Sequence, residues 1–129
     1  MIVLKTGELA DVARGLNDLI SKDLPVRAAY WTAKIAKKVA SELRDFNTQR
    51  IKLLEKHSEK DSDGKPSITN DNHVLADVEH FRVDFDELCG IPLDIGCMPI
   101  SLSDLGNVSI KPGTMILLDK IIVEDNQDG

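Results

Sequence analysis

Apolar residues recur at three- and four-residue spacing in three stretches of the chain. The first carries Leu9, Val12, Ala13, Leu16, Leu19 and Ile20, a period that predicts an amphipathic helix. Residues 2–5 precede it as a short apolar, β-branched run, read as a strand. Thr6 stands where a helix cap is expected, with Glu8 in the first turn. Gly15 falls inside this helix and costs about 1 kcal/mol against Ala, so it is expected to allow close packing on the next helix.

The second stretch dominates the chain. Residues 25–57 contain no glycine and no proline after Pro25. They predict one helix of roughly 50 Å at 1.5 Å rise per residue, longer than a small domain is wide. Asp23 is a candidate cap, and Pro25 suits the first turn. The connector before it is short, so the first two helices should be antiparallel neighbours. Ala28, Ile35, Val39, Leu43, Phe46 and Leu53 share one face. Ala29, Ala33, Ala36 and Ala40 widen it in the first half only, which predicts packing on more than one neighbour there and a narrower arm beyond.

Residues 58–73 are polar and predict a tip. Val74, Val78, Phe81, Phe85 and Leu88 then resume helical spacing up to Gly90, predicting an acidic third helix antiparallel to the second. Past Gly90 the pattern shortens. Residues 91–95 and 98–100 read as extended pieces, and 101–105 as one helical turn capped by Ser101. Residues 107–110 read as a strand and 111–113 as a turn. Met115, Leu118 and Ile122 fit a short helix, whereas 121–123 fit a strand equally well. The expected fold is α+β: a long antiparallel helical hairpin with an N-terminal helix and a small β-sheet at its base. One domain over 1–129 is expected: strand and helix in 1–24, hairpin in 25–90, sheet and short helix in 91–124, and a fraying tail in 125–129.

Charge changes this picture. The net charge is −6, which argues against direct DNA binding, as does the lack of a helix-turn-helix pattern. Yet residues 25–60 hold nine Lys/Arg against four Asp/Glu, a net +5, and leave −11 on the rest. A basic helix is set in an acidic protein. At 100° per residue Arg27, Trp31, Lys34 and Lys38 fall within about 60° of one another, with Tyr30 beside them. Planar rings flanked by cations can stack a base and hold phosphates. The competing reading is a Trp31 that edges the apolar face under lysine stems, with the cations paired to the acidic third helix or to another subunit.

Other chemistry is thin. Glu59, Asp61, Asp63 and Gly64 resemble part of a calcium loop, but its twelfth position is Asn70 and Pro66 interrupts it, so a turn is expected. His57, His73 and His80 are too dispersed for one metal ion and read as solvated. Cys89 and Cys97 are not a CxxC pair and read as reduced, buried thiols. No nucleophile–base or phosphate-loop motif is present. A non-enzymatic protein without cofactor or metal is expected. No apolar run reaches the length of a membrane span, and a cytoplasmic setting is expected.

The layout of Leu24-Pro25-Val26, Leu54-Glu55-Lys56-His57, residues 60–65, residues 98–105 and Lys111-Pro112-Gly113 resembles a family of small bacteriophage and prophage proteins of unknown function, mostly from Firmicutes. The resemblance implies a phage origin and action in the host bacterial cytoplasm. It supplies no catalytic residues. A host-directed binding protein is then expected, countering a defence by sequestering an anionic signal nucleotide or gripping a host protein. The alternative is a virion or tail assembly accessory. The exposed arm leads us to expect a homo-oligomer.

Overall fold

The computed structural model describes residues 1–60, 64, 65 and 75–124, together with the backbone of 68, 69, 72 and 73. The chain runs β1 (Val3–Lys5), a 3-10 turn at Thr6–Glu8, α1 (Leu9–Ile20) and α2 (Val26–His57). Then come β2 (Ile68–Thr69), β3 (Asn72–His73), α3 (Val78–Cys89), β4 (Pro92–Asp94) and β5 (Ile100–Ser101). A second 3-10 turn at Leu102–Leu105, α4 (Pro112–Leu117) and β6 (Ile122–Val123) complete it. The α+β architecture and the long helix are as the periodicity implies. The calcium-like motif, the helix start at Val74 and the C-terminal tail lie wholly or partly outside the described residues.

One cluster of aliphatic side chains holds these elements together. Ile2, Leu4, Leu9, Leu16, Leu19, Ile35, Leu118 and Ile121 are all within 1 % of full burial. Burying such a side chain contributes roughly 1.5–3 kcal/mol. The small sheet is three separate two-stranded pieces rather than one. In the first, β1 pairs antiparallel with β4, setting Leu4 opposite Leu93. In the third, β5 pairs parallel with β6, setting Ile100 opposite Ile122. Strands of two or three residues are too short to stand alone, and each terminal pair leans on the helices through its buried leucine or isoleucine.

Several local expectations are corrected. Thr6 does not cap α1. It is buried, and its hydroxyl donates to the Leu88 carbonyl at the end of α3, while the Glu8 carboxylate accepts from Lys5 N at 2.9 Å. Asp23 does not cap α2, which starts from Pro25 with no side-chain cap. Residues 107–110 form no strand. Segment 115–123 is both things expected of it: helix to Leu117, then strand from Ile122. The first half of α2 meets both α1 and β5, but Ala29, Ala33 and Ala40 are exposed and Ala36 half-buried, so the alanines themselves do not widen the buried face.

The hairpin closes by aromatic and ionic contacts. Phe46 lies 6.2 Å from Phe85 and His57 lies 6.0 Å from Phe81, so α3 runs antiparallel to the outer half of α2. Asp77 caps α3, accepting from Glu79 N and His80 N at 3.1 and 3.2 Å, which fixes its start at Val78. His57 is not solvated. Its Nε2 sits 2.8 Å from Asp84 Oδ2, and Lys56 Nζ is 3.5 Å from the same oxygen. His80 is exposed and pairs with Asp77 at 2.7 Å.

The hydrogen bond with His57, with the charge of Lys56 behind it, holds the Asp84 carboxyl below the usual carboxylate range. A carboxylate with a lowered folded pKa stabilises the fold above its unfolded pKa, and loses that contribution as pH falls through the folded value. The α2–α3 clasp is therefore expected to weaken on acidification below the ordinary carboxylate range. Urea midpoints between pH 6 and pH 2 should show a steeper acid loss for the native protein than for Asp84→Asn.

Among the described residues one buried side-chain polar group is unsatisfied. Thr32 is 0 % exposed, and its Oγ1 has no hydrogen-bond partner. An unmade buried hydrogen bond costs about 1–3 kcal/mol. Thr32→Val keeps the branched shape and removes the hydroxyl. It is expected to raise stability by about 1 kcal/mol, read as a higher urea midpoint with an unchanged denaturant slope.

Candidate ligand-binding face on the long helix

Burial of Ala28, Thr32, Ile35 and Val39 decides which way α2 presents its remaining faces. Arg27, Trp31, Lys34 and Lys38 each precede a buried residue, so they line up along one edge of the buried face. All four, and Tyr30, are exposed. The edge looks across to the segment between β4 and β5. That segment is tied down by hydrogen bonds: Ile2 N donates to the Cys97 carbonyl, Ile95 N to the Ile2 carbonyl, both at 2.9 Å, and Ile100 N to the Ile121 carbonyl at 2.7 Å. Gly96 turns the chain at φ 77°, a conformation that glycine adopts without strain.

The aromatic pair is well defined. Tyr30 and Trp31 meet edge-to-face, with ring centres 5.3 Å apart at 82°. Lys34 Nζ stands 5.2 Å from the Tyr30 ring centre and 5.7 Å from that of Trp31, within cation–π range. Trp31 keeps 40 % of its surface exposed, so the lysine stem does not cover it. On its other side it lines a cleft of about 220 Å³ with Arg27, Ala28, Met98, Pro99, Ile100 and Asp104. One step along the helix, Lys34, Lys37 and Lys38 line a second groove of about 380 Å³ with Ser41, Ile95 and Cys97.

The cations of this face are largely uncompensated. Lys38 pairs with Glu42 at 3.3 Å. Among the described residues Arg27, Lys34 and Lys37 make no ion pair. The acidic helix α3 directs Asp84 to Lys56 and His57 instead, far out along the arm. The first turn of α2 carries no acidic residue, so the positive end of the helix dipole adds to the field beside Arg27. A larger hollow of about 560 Å³ lies by Lys22, Asp23, Pro25, Leu105 and Ser109. Its two charged groups are of opposite sign, and no aromatic ring lines it.

The structure thus brings Tyr30, Trp31 and Lys34 into direct contact, puts Arg27 in the same cleft as Trp31, and sets Lys38 in the adjoining groove. Sequence reasoning missed Lys37, which has the charge but lies off the 60° sector. It also missed Met98, Pro99 and Asp104 as walls of the site, because only the fold carries them to α2. No group of three or more His, Cys, Asp or Glu that could hold a metal occurs among the described residues. Cys89 and Cys97 are half-buried rather than buried. Burial, with Asp86 nearby, pushes the Cys89 thiol upward, away from the thiolate form that reacts. Among the described residues no helix is long and apolar enough to cross a membrane. In comparisons with known proteins, no family model, curated protein or solved structure matches the chain.

Proposed function

We propose that this is a non-catalytic binding protein that takes an anionic nucleotide onto the face formed by Arg27, Tyr30, Trp31, Lys34 and Lys38. The observation that carries the reading is the arrangement around Trp31: two exposed rings in contact, one lysine over both, and unpaired cations on either side. Stacking on an aromatic ring is worth about 1–3 kcal/mol per base and tolerates any base. Lysines supply point charges for phosphate. The resemblance to phage proteins supports a host-directed setting, in which sequestering a signal nucleotide would blunt a bacterial defence.

The reading is tested by thermal-shift measurements on the purified protein against linear and cyclic nucleotides. A ligand that binds only the folded state raises the melting temperature in step with RT ln(1 + [L]/Kd). A saturable rise with a phosphorylated nucleotide, absent with the matching nucleoside, is the expected result. No rise across the whole panel would overturn it and leave a host protein as the occupant of the face.

A second reading, an assembly accessory that packs between copies, is favoured by a different surface. Ala13, Leu16, Ala36, Ala40 and Leu43 line an open groove of about 330 Å³ between α1 and α2, continuous with the uncovered alanines of α2. It predicts a concentration-dependent oligomer by sedimentation that Ala40→Glu dissociates, and no response to nucleotides.

A further inference from the structure

We infer that the base held at this face is guanine, read by Asp104 and Arg27. The inference rests on the nucleotide reading above and deepens it. The 220 Å³ cleft beside Trp31 is walled by Trp31, Met98 and Pro99 and floored by Ala28 and Ile100. These are flat or apolar surfaces of a kind that accept a planar ring. Two charged side chains line the same cleft, Arg27 and Asp104, and they do not form an ion pair with each other. Opposite charges that share a small cleft without joining leave room for a ligand that offers donors to one and acceptors to the other.

The chemistry of the bases then discriminates. An ionised carboxylate only accepts hydrogen bonds. Guanine presents two adjacent donors, N1–H and the N2 amino group, which a carboxylate takes as a pair. Adenine sets a lone acceptor, N1, beside its amino donor, and cytosine likewise sets N3 beside its own, so each would place a lone pair against Asp104. On the other edge guanine offers O6 and N7, both acceptors, which match the fork of an arginine. Adenine keeps N7 but sets a donor at N6 beside it, so an arginine keeps one hydrogen bond and meets a like donor at the other. Both charged groups of the cleft therefore favour the same base.

The phosphates have a place as well. Trp31 and Lys38 are seven residues apart on α2, about 10 Å along the axis. That is the reach of a nucleotide from its base to its second phosphate. Lys34, Lys37 and Lys38 line a groove one to two turns further along the same helix. A guanosine carrying two or more phosphates fits both halves.

Trp31 is the only tryptophan in the chain, so its fluorescence reports on the cleft directly. The test titrates the full chain with GDP and with ADP, following Trp31 emission, with calorimetry in parallel. GDP is expected to quench Trp31 and to bind at least tenfold more tightly than ADP. Asp104→Asn is expected to erase that preference by weakening GDP and, because the amide can donate to adenine N1, by binding ADP at least as tightly as the native protein does. Arg27→Gln gives a second, independent loss of preference, should Asp104→Asn alter the fold by circular dichroism. Equal affinities for GDP and ADP, or a preference that survives both substitutions, would overturn the guanine assignment and leave the nucleotide face standing. Absence of binding by either nucleotide would overturn the guanine assignment, and with no response across the wider panel of linear and cyclic nucleotides it would overturn the nucleotide reading as well.

Discussion

Leu118→Ala is expected to lower stability by about 3 kcal/mol, and Gly15→Ala to lower it by about 1 kcal/mol, yet together they should cost less than their sum. Leu118 is 0 % exposed. A Cβ built on Gly15 would lie 2.8 Å from both its Cγ and its Cδ2, and 3.1 Å from Leu117 Cβ. Truncating Leu118 alone leaves a cavity against α1. Adding a methyl at Gly15 alone drives it into a side chain that has nowhere to move. That clash outweighs the roughly 1 kcal/mol that a helix gains when alanine replaces glycine. In the double variant the new methyl enters the space the leucine vacated. Urea unfolding of the four proteins, followed by circular dichroism, gives the coupling. Additivity within about 0.5 kcal/mol would mean that α1 and α4 are not locked at this point. Gly15 was expected to ease packing on α2. Its close approach is to α4 instead, because α4 crosses α1 on the side that α2 leaves free.

Trp31→Ala combined with Lys34→Ala is expected to lower nucleotide affinity by about a hundredfold to a thousandfold. Loss of a stacked base accounts for about 1–3 kcal/mol, and loss of a charge-assisted hydrogen bond for about 1.5–3 kcal/mol. Lys34 is exposed, but Trp31 is only 40 % exposed, so the double variant loses part of a tryptophan's packing and its unfolding free energy should fall by about 1–2 kcal/mol. Calorimetric titration checks the first value and urea unfolding the second. Trp31→Phe should retain most of the affinity, because it keeps a ring. Lys38→Ala alone should cost less than Lys34→Ala, since Glu42 shares that charge while Lys34 makes no ion pair among the described residues. Affinity unchanged in the double variant would place the ligand elsewhere.

The acid sensitivity expected of Asp84 concerns a different part of the molecule. The clasp of His57, Lys56 and Asp84 lies at the outer end of the hairpin, where α3 carries no fully buried residue. Ion pairs and a few rings hold the arm where the aliphatic core does not reach. The ligand face sits at the other end, on the half of α2 anchored by Ile35 and Val39. Loosening the arm by acid or by Asp84→Asn should therefore leave the site's geometry in place.

What was legible in the sequence was whatever depends on near neighbours along the chain. The three helices follow from apolar spacing and from the absence of glycine and proline in α2. The grouping of Arg27, Trp31, Lys34 and Lys38 follows from helix geometry alone, and Tyr30 meets Trp31 because the two are consecutive. One helix cap was misread because a tertiary contact competed for the same side chain. Thr6 looks like a cap, but its hydroxyl is taken by the Leu88 carbonyl. His57 looks solvated, but α3 brings Asp84 to it. The strand expected at 107–110 does not form, because a β-strand exists only where another strand pairs with it, and sequence does not show which segments pair.

The amino-acid sequence by itself thus determined the long basic helix, its aromatic–cationic stripe and the α+β class, because helical periodicity is a local property. Only the tertiary structure decided that the stripe faces outward, that its cations are spared by the acidic helix, and that Met98, Pro99 and Asp104 close a cleft against it. Those features depend on the β1–β4 and β5–β6 pairings. These carry a distant segment across to α2, and their hydrogen bonds join residues that no short-range pattern connects.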